Sequence, residues 1–299
     1  MIEVRIAVDA AEAEALEAYF CEDYQEHWML YEDEKLVEHE LRGFFETRDA
    51  AQSAFGALGV AFPALRGREW KAERLMAETD WKEAYKLHFR PWSDRGLHWV
   101  PVWEADDYPL PEGDCLIPLD PGMAFGTGNH ETTRLCVRRL LDARDEWGAD
   151  NLAGRRVIDA GCGSGILALS ARKLGFSPVE GFDIDPDSVA VSLDNARLCG
   201  IGDEVAFHWS GLEEGLADRA ADILMANILA NVLCANADGL LGAVRPGGRL
   251  ILSGILAREA EEVARHFRGR AGAVWPGGVE RLDSRGDGDW ADVLLVRGR

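Results

Sequence analysis

Basic residues are scarce in this sequence. Its 299 residues carry 53 Asp and Glu against 32 Lys and Arg, a formal net charge of −21. That balance argues against electrostatic binding of bare nucleic acid and leaves a basic partner, or simple solubility, as its use. Paired cysteines are missing as well. The six present (Cys21, Cys115, Cys136, Cys162, Cys199 and Cys234) are scattered, form no C-x-x-C pair and follow no signal-peptide-like segment. Reduced thiols and a cytoplasmic protein are therefore expected. The longest apolar runs, such as ILMANILANVL, are broken by asparagine and fall short of the roughly 20 apolar residues that a membrane span needs. There is no G-x-x-x-x-G-K-[ST] run, no internal repeat and no low-complexity tract, so a phosphate-binding P-loop is unsupported. Hydrophobic residues are not lacking: at 47% of the chain they can fill the core of one large or two ordinary domains.

The acids crowd the front of the chain, with fifteen in residues 1–50 against four bases. There IEVRIAV alternates like a strand, AEAEALEAYFCEDY suits a helix, and HWMLYEDE and KLVEHELRGFF read as strands around an acidic turn at Glu32, Asp33 and Glu34. DAAQSAFGAL gives a second helix with Asp49 as its N-cap, and WKAERLM a further strand. The order β-α-β-β-α-β predicts a small ferredoxin-like α+β domain over residues 1–78. Residues 79–114 hold Trp81, Trp92, Trp99 and Trp103 and then the proline- and acid-rich EADDYPLPEGD; they read as a packed aromatic connector and linker. From 115 to 299 strands and helices alternate, which predicts a Rossmann-like α/β domain with a parallel sheet covered on both faces.

Within it, RRVIDAGCGSGILALSARKLG reads as strand, glycine turn, helix. Gly161, Gly163 and Gly165 let the backbone turn sharply and approach a ligand. The dinucleotide fingerprint requires G-x-G-x-x-G, but Ile166 follows Gly165, which disfavours a dehydrogenase. The next strand ends GFDIDP, placing Asp183 where an acid can accept hydrogen bonds from both ribose hydroxyls, while Asp185 suits an N-cap. A glycine turn without pyrophosphate recognition, followed by a ribose acid, fits S-adenosylmethionine and a class I methyltransferase.

The combination LDPGMAFGTGNHETT, VIDAGCGSGILALSARKLG, GFDIDP, ADILMANILANVL and PGGRLILSGIL closely resembles the ribosomal protein L11 methyltransferase family. The resemblance extends through the tryptophan-rich connector and more loosely through the amino-terminal domain. It implies that the residue at Thr133 contacts the cofactor, together with Gly161, Gly163, Asp183 and Asn227. It also implies an amino-terminal domain that recognises the substrate protein. Asn227 in MANILA has two readings: its amide can position a neutral amine by accepting a hydrogen bond, or it can cap a helix. His130 likewise reads as a base or as a loop organiser, and Thr132 and Thr133 as partial caps of the following helix.

The expected reaction is in-line methyl transfer to lysine amines, and to the N-terminal α-amine, of ribosomal protein L11, without a metal and without a covalent enzyme intermediate. Two other readings compete with it. One is a methyltransferase of the same fold acting on a lysine of another protein; the other is a non-catalytic adaptor that binds S-adenosylmethionine.

Overall fold

The computed structural model describes residues 2–9, 11–13, 15 and 16, 28–33, 38–45, 47–68, 70–74, 90–120 and 130–299. The chain divides into two compact units, Met1–Tyr85 and Lys86–Arg299.

In the first unit, strands β1 (Ile2–Val8), β2 (Trp28–Asp33), β3 (Glu38–Phe45) and β4 (Lys71–Arg74) form one sheet in the order β2-β3-β1-β4, antiparallel at every join. Residues 11–13 and 15–16 are helical between β1 and β2, and the helix Arg48–Ala61 lies between β3 and β4. This is the expected ferredoxin-like arrangement. Val4, Ile6, Leu41, Phe45, Phe55 and Leu58 fill its core. Gly43 is bare there because Trp28 and Phe45 meet edge to face across it; a Cβ would come within 2.6 Å of both rings. The helix cap differs from expectation. Thr47, not Asp49, is the N-cap: its side chain accepts from the Ala50 N–H, and Asp49 sits in the first turn, where its charge faces the positive end of the helix dipole. Of the predicted acidic turn, Glu32 and Asp33 end β2, and Glu34 lies outside the described residues. Trp81 also lies outside them.

The second unit starts with a small sheet of β5 (Trp92–Asp94), β6 (Leu97–Pro101) and β7 (Cys115–Leu119). Trp92 and Trp99 stack with ring centroids 3.8 Å apart, and the buried Trp99 donates its indole N–H to Ser170 Oγ at 2.9 Å. Trp99, with Trp92 against it, is thus packed into the core of this unit, whereas Trp103 is exposed.

The main sheet has seven strands: β8 (Ala153–Ala160), β9 (Ser177–Asp183), β10 (Val205–Trp209), β11 (Ala221–Asn227), β12 (Val244–Leu256), β13 (Val279–Asp287) and β14 (Trp290–Arg297). Their order is β10-β9-β8-β11-β12-β14-β13, parallel throughout except for β14, which runs antiparallel to both neighbours. The central strands β11, β12 and β14 are buried on both faces and carry continuous apolar runs, whereas the edge strands β10 and β13 are largely open. Ile223, Met225, Ile251 and Leu294 pack on one side; Leu224, Ala226, Leu250, Leu252, Val293 and Leu295 pack on the other. Helices Glu131–Trp147, Ile166–Lys173 and Pro186–Leu198 cover the first face, and Ala237–Gly242 and Ala260–Val274 the second. After β8 the chain winds outward to β10, then returns to place β11 on the other side of β8. That reversal opens a crevice at the carboxyl ends of β8 and β11, the usual ligand site of such sheets.

Candidate active site

The crevice is a cleft of about 880 Å³. Gly161, Gly163, Asp183, Asn227 and His130 all lie on its wall, brought together from the ends of β8, β9 and β11 and the start of the helix Glu131–Trp147.

The turn after β8 is held by its own backbone. The N–H groups of Gly161 and Cys162 both donate to the Phe182 carbonyl (2.9 and 3.0 Å), Gly165 N–H donates to Cys162 O (2.8 Å), and Gly163 N–H donates to Asp183 Oδ2 (2.9 Å). Four amides of the segment 161–165 are therefore engaged within the protein. A phosphate-binding loop needs those groups free and a positive field, whereas here two carboxylates, Asp159 and Asp183, stand beside the turn. The site suits a neutral or cationic ligand better than a pyrophosphate. Gly161 adopts φ +76°, and a Cβ there would meet Ile228 Cγ2 at 2.6 Å.

Asp183 ends β9 with each oxygen already oriented: Oδ2 accepts from Gly163 N–H, and Oδ1 accepts from Asp185 N–H at 3.0 Å. Each oxygen keeps a second lone pair for a ligand hydroxyl. Asp185 is the cap of Pro186–Leu198, accepting from Asp187 N–H and from Ser188 Oγ–H, both at 3.0 Å. Beyond Asp183 the wall is apolar, with Phe182, Ile184 and Leu212; Ile184 is 77% exposed.

Asn227 ends β11. Its Oδ1 is buried and has no hydrogen-bond partner among the described residues, a costly state that a ligand N–H would relieve. The residue is held in place through Ile228, whose backbone packs against Gly254 and whose side chain packs against Gly161.

His130 caps the helix Glu131–Trp147. Its Nδ1 lies 2.7 Å from Thr132 Oγ1 and 3.4 Å from Thr132 N, and its ring meets Trp290 edge to face at 4.8 Å. Thr133 is fully buried, with no partner for its Oγ1 among the described residues, but its neighbour Thr132, rather than Thr133 itself, contributes to the cleft wall. Residues 121–129, which hold the AFGTGN part of the motif, lie outside the described residues.

Sequence reasoning missed three participants. Trp290 and Gly254 come from β14 and β12, remote in sequence and without a local motif. Asp159 sits two residues before Gly161, wholly buried; Ala168 N–H donates to its Oδ2 at 3.1 Å, while Oδ1 has no partner among the described residues. Burial, with the nearby Asp183 charge, pushes its carboxyl up to about 7. An acid opening a D-x-G-x-G run was the available signal. The thiols of Cys136 and Cys162, beside the same core, are pushed up by burial, away from reactivity.

A family model described as ribosomal protein L11 methyltransferase (PrmA) matches residues 4–273. The chain belongs to the ribosomal protein L11 methyltransferase family. The ribosomal protein L11 methyltransferase of Methylococcus capsulatus is 43% identical over 223 residues, covering 74% of this chain and 71% of that one. The one from Pseudomonas aeruginosa is 48% identical over 190 residues, 63% of this chain and 60% of the relative. Among solved structures, the ribosomal protein L11 methylase of Lactobacillus delbrueckii subsp. bulgaricus aligns at a TM-score of 0.60 with 30% identity, over 71% of this chain and all of that one. The fold is that of class I S-adenosylmethionine-dependent methyltransferases, and S-adenosylmethionine is the family's cofactor. The residues present fit it: a doubly oriented carboxylate for vicinal hydroxyls, an apolar wall beside it for a base, and an orphaned amide oxygen at Asn227.

Proposed function

We propose that this protein transfers methyl groups from S-adenosylmethionine to lysine ε-amines, and to the N-terminal α-amine, of ribosomal protein L11. The observation that carries the reading is the placement of Asp183 and Asn227 on one cleft, beside a glycine turn whose amides are engaged internally. Family membership supports the same substrate.

When bound, the cofactor supplies an electrophilic methyl on its sulfonium. Asp183 accepts the ribose hydroxyls, and Gly161 and Gly163 allow the close backbone approach; Thr132, rather than Thr133, lines the cleft from the helix Glu131–Trp147. Asn227 accepts an N–H of the incoming amine and aims the nitrogen lone pair at the methyl carbon. With the cofactor bound, the nitrogen–carbon bond would form as the carbon–sulfur bond breaks, with S-adenosylhomocysteine as the other product. Before attack the lysine must lose a proton, which costs about 4–5 kcal/mol at neutral pH for an amine of ordinary pKa. That proton goes to water. His130, its Nδ1 engaged by Thr132, organises the helix start.

Residues 1–78 recognise the substrate protein, their surplus of acids suiting a basic ribosomal protein. The protein acts in the cytoplasm and binds no nucleic acid directly. The test is incubation with labelled S-adenosylmethionine and ribosomal proteins, free and assembled, followed by mapping of the label by mass spectrometry. Label on L11 amines is the expected result. Label on another protein's lysine overturns the substrate, and cofactor binding without transfer overturns the enzyme.

A further inference from the structure

The helix Pro186–Leu198 buries Ser188, Val189, Ser192, Asn195 and Ala196. Their spacing is that of one helical stripe, yet three of the five are polar. A buried polar group is costly unless satisfied, so the partners of this stripe are informative. Ser192 Oγ–H donates to the Gly163 carbonyl at 2.8 Å, and Asn195 Nδ2–H donates to the Ser164 carbonyl at 2.9 Å. Asn195 Oδ1 accepts from the Asp120 N–H, also at 2.9 Å. Two neighbouring carbonyls of the glycine turn are thus tied to one helix face. The contact is close: a Cβ on Gly165 would lie 2.9 Å from Ser192 Oγ.

We propose that Ser192 and Asn195 are positioning residues for the cofactor, fixing the peptide planes of the glycine turn by holding its carbonyls at the helix. In a trans peptide C=O and N–H point in opposite directions. Drawing the Gly163 carbonyl to Ser192 therefore turns the Ser164 N–H away from the helix, and keeps a carbonyl from rotating toward the ligand side. The Gly163 N–H, on the preceding peptide, is meanwhile held by Asp183. The turn is clamped from both sides, with the ribose acid on one and the helix on the other.

Asn195 has a second effect. Its planar amide is donor to the turn and acceptor from Asp120, the residue that follows β7. One rigid group therefore sets the spacing between the turn and the chain leading toward His130. Aspartate, with no donor, cannot make both bonds.

The inference rests on the function proposed above only in taking the turn as the cofactor's seat. Its test uses the full chain with Asn195→Asp and Ser192→Ala. Asn195→Asp keeps the acceptor for Asp120 and sets a carboxylate oxygen against the Ser164 carbonyl. Calorimetry with S-adenosylhomocysteine should show a Kd weakened about tenfold or more in Asn195→Asp and less in Ser192→Ala. KM for S-adenosylmethionine should rise in step, with kcat at saturating cofactor within about threefold of wild type. Amide hydrogen exchange across residues 161–165 should quicken without any ligand. Unchanged S-adenosylhomocysteine affinity in folded variants, whatever their melting temperature, overturns the inference. If Asn195→Asp does not fold, Ser192→Ala decides alone. A wild type that binds S-adenosylhomocysteine but leaves L11 unmethylated refutes the proposed function, while the binding data still decide this inference. A wild type that does not bind it overturns both.

Discussion

Replacing Asp183 by asparagine, a change of almost no volume, should be nearly as damaging to cofactor binding as replacing it by alanine. Both carboxylate oxygens face backbone donors, Gly163 N–H on Oδ2 and Asp185 N–H on Oδ1. An asparagine presents one oxygen and one NH2. In either orientation one backbone N–H is left opposite another donor; stranding the buried Gly163 N–H costs about 1–3 kcal/mol, whereas the exposed Asp185 N–H can turn to water at smaller cost. The negative charge that strengthens hydrogen bonds from the ribose hydroxyls is lost as well; each such charge-assisted bond contributes about 1.5–3 kcal/mol. Part of the loss falls on the free protein and part on the complex. The net expectation is about 2–4 kcal/mol of cofactor affinity, roughly thirty- to several-hundred-fold in Kd. Calorimetry with S-adenosylhomocysteine measures it directly, with near-ultraviolet circular dichroism to confirm the fold. An Asp183→Asn Kd within threefold of wild type would refute the reasoning, because it would show that neither the charge nor the paired donors matter.

Four other outcomes follow from the same geometry. Asn227→Ala should slow methyl transfer at saturating cofactor by about a hundredfold, the usual scale for lost positioning; single-turnover kinetics measure this, and an unchanged rate removes the residue from amine alignment. The rate should rise about tenfold per pH unit from 7 toward the amine pKa, provided chemistry limits turnover; a flat profile counts against attack by a neutral amine. Arg139 pairs bidentately with the fully buried Asp292 at 2.8 and 2.6 Å, so Arg139→Ala strands a charge and should cost about 3–5 kcal/mol in urea unfolding. Asp159, held up to about 7 when folded, binds its proton more tightly folded than unfolded. Its contribution to stability is full below about pH 4 and is lost as pH rises to about 7, a total on the order of 4 kcal/mol. Asp159→Asn should remove that dependence. If its stability relative to wild type does not rise between pH 4 and pH 7, the assignment fails.

Strands β8, β9, β11 and β12 were legible from their apolar runs, and the glycines between VID and ILALSARKL mark where the chain must turn; the open edge strands β10 and β13 and the antiparallel β14, against the expected parallel sheet, were not. Asp183 was legible from its place at the end of the next such run. The polar residues that hold the turn were not. A serine and an asparagine on a helix read as solvent-facing, and only the backbone carbonyls they reach make them buried. Trp290 could not be tied to the cleft from sequence, since it arrives from the antiparallel β14. The same limit applied at the first helix of the amino-terminal unit's carboxyl half, where Thr47 and Asp49 are both good caps by residue type and only backbone geometry separates them.

Ile228 lies between two bare glycines, its side chain against Gly161 and its backbone against Gly254. Three strands therefore share one contact whose members cannot change independently. A larger side chain at 228 has no room to expand, and a methyl at 161 collides with it. Shortening Ile228 to alanine removes the Cγ2 in the way and should make Gly161→Ala less harmful than it is alone, though the positive φ at 161 keeps part of the penalty. Over evolutionary time such positions drift together or not at all. The neighbourhood of Asn227 should thus change by coupled steps, each permissible only in a background that the other has prepared.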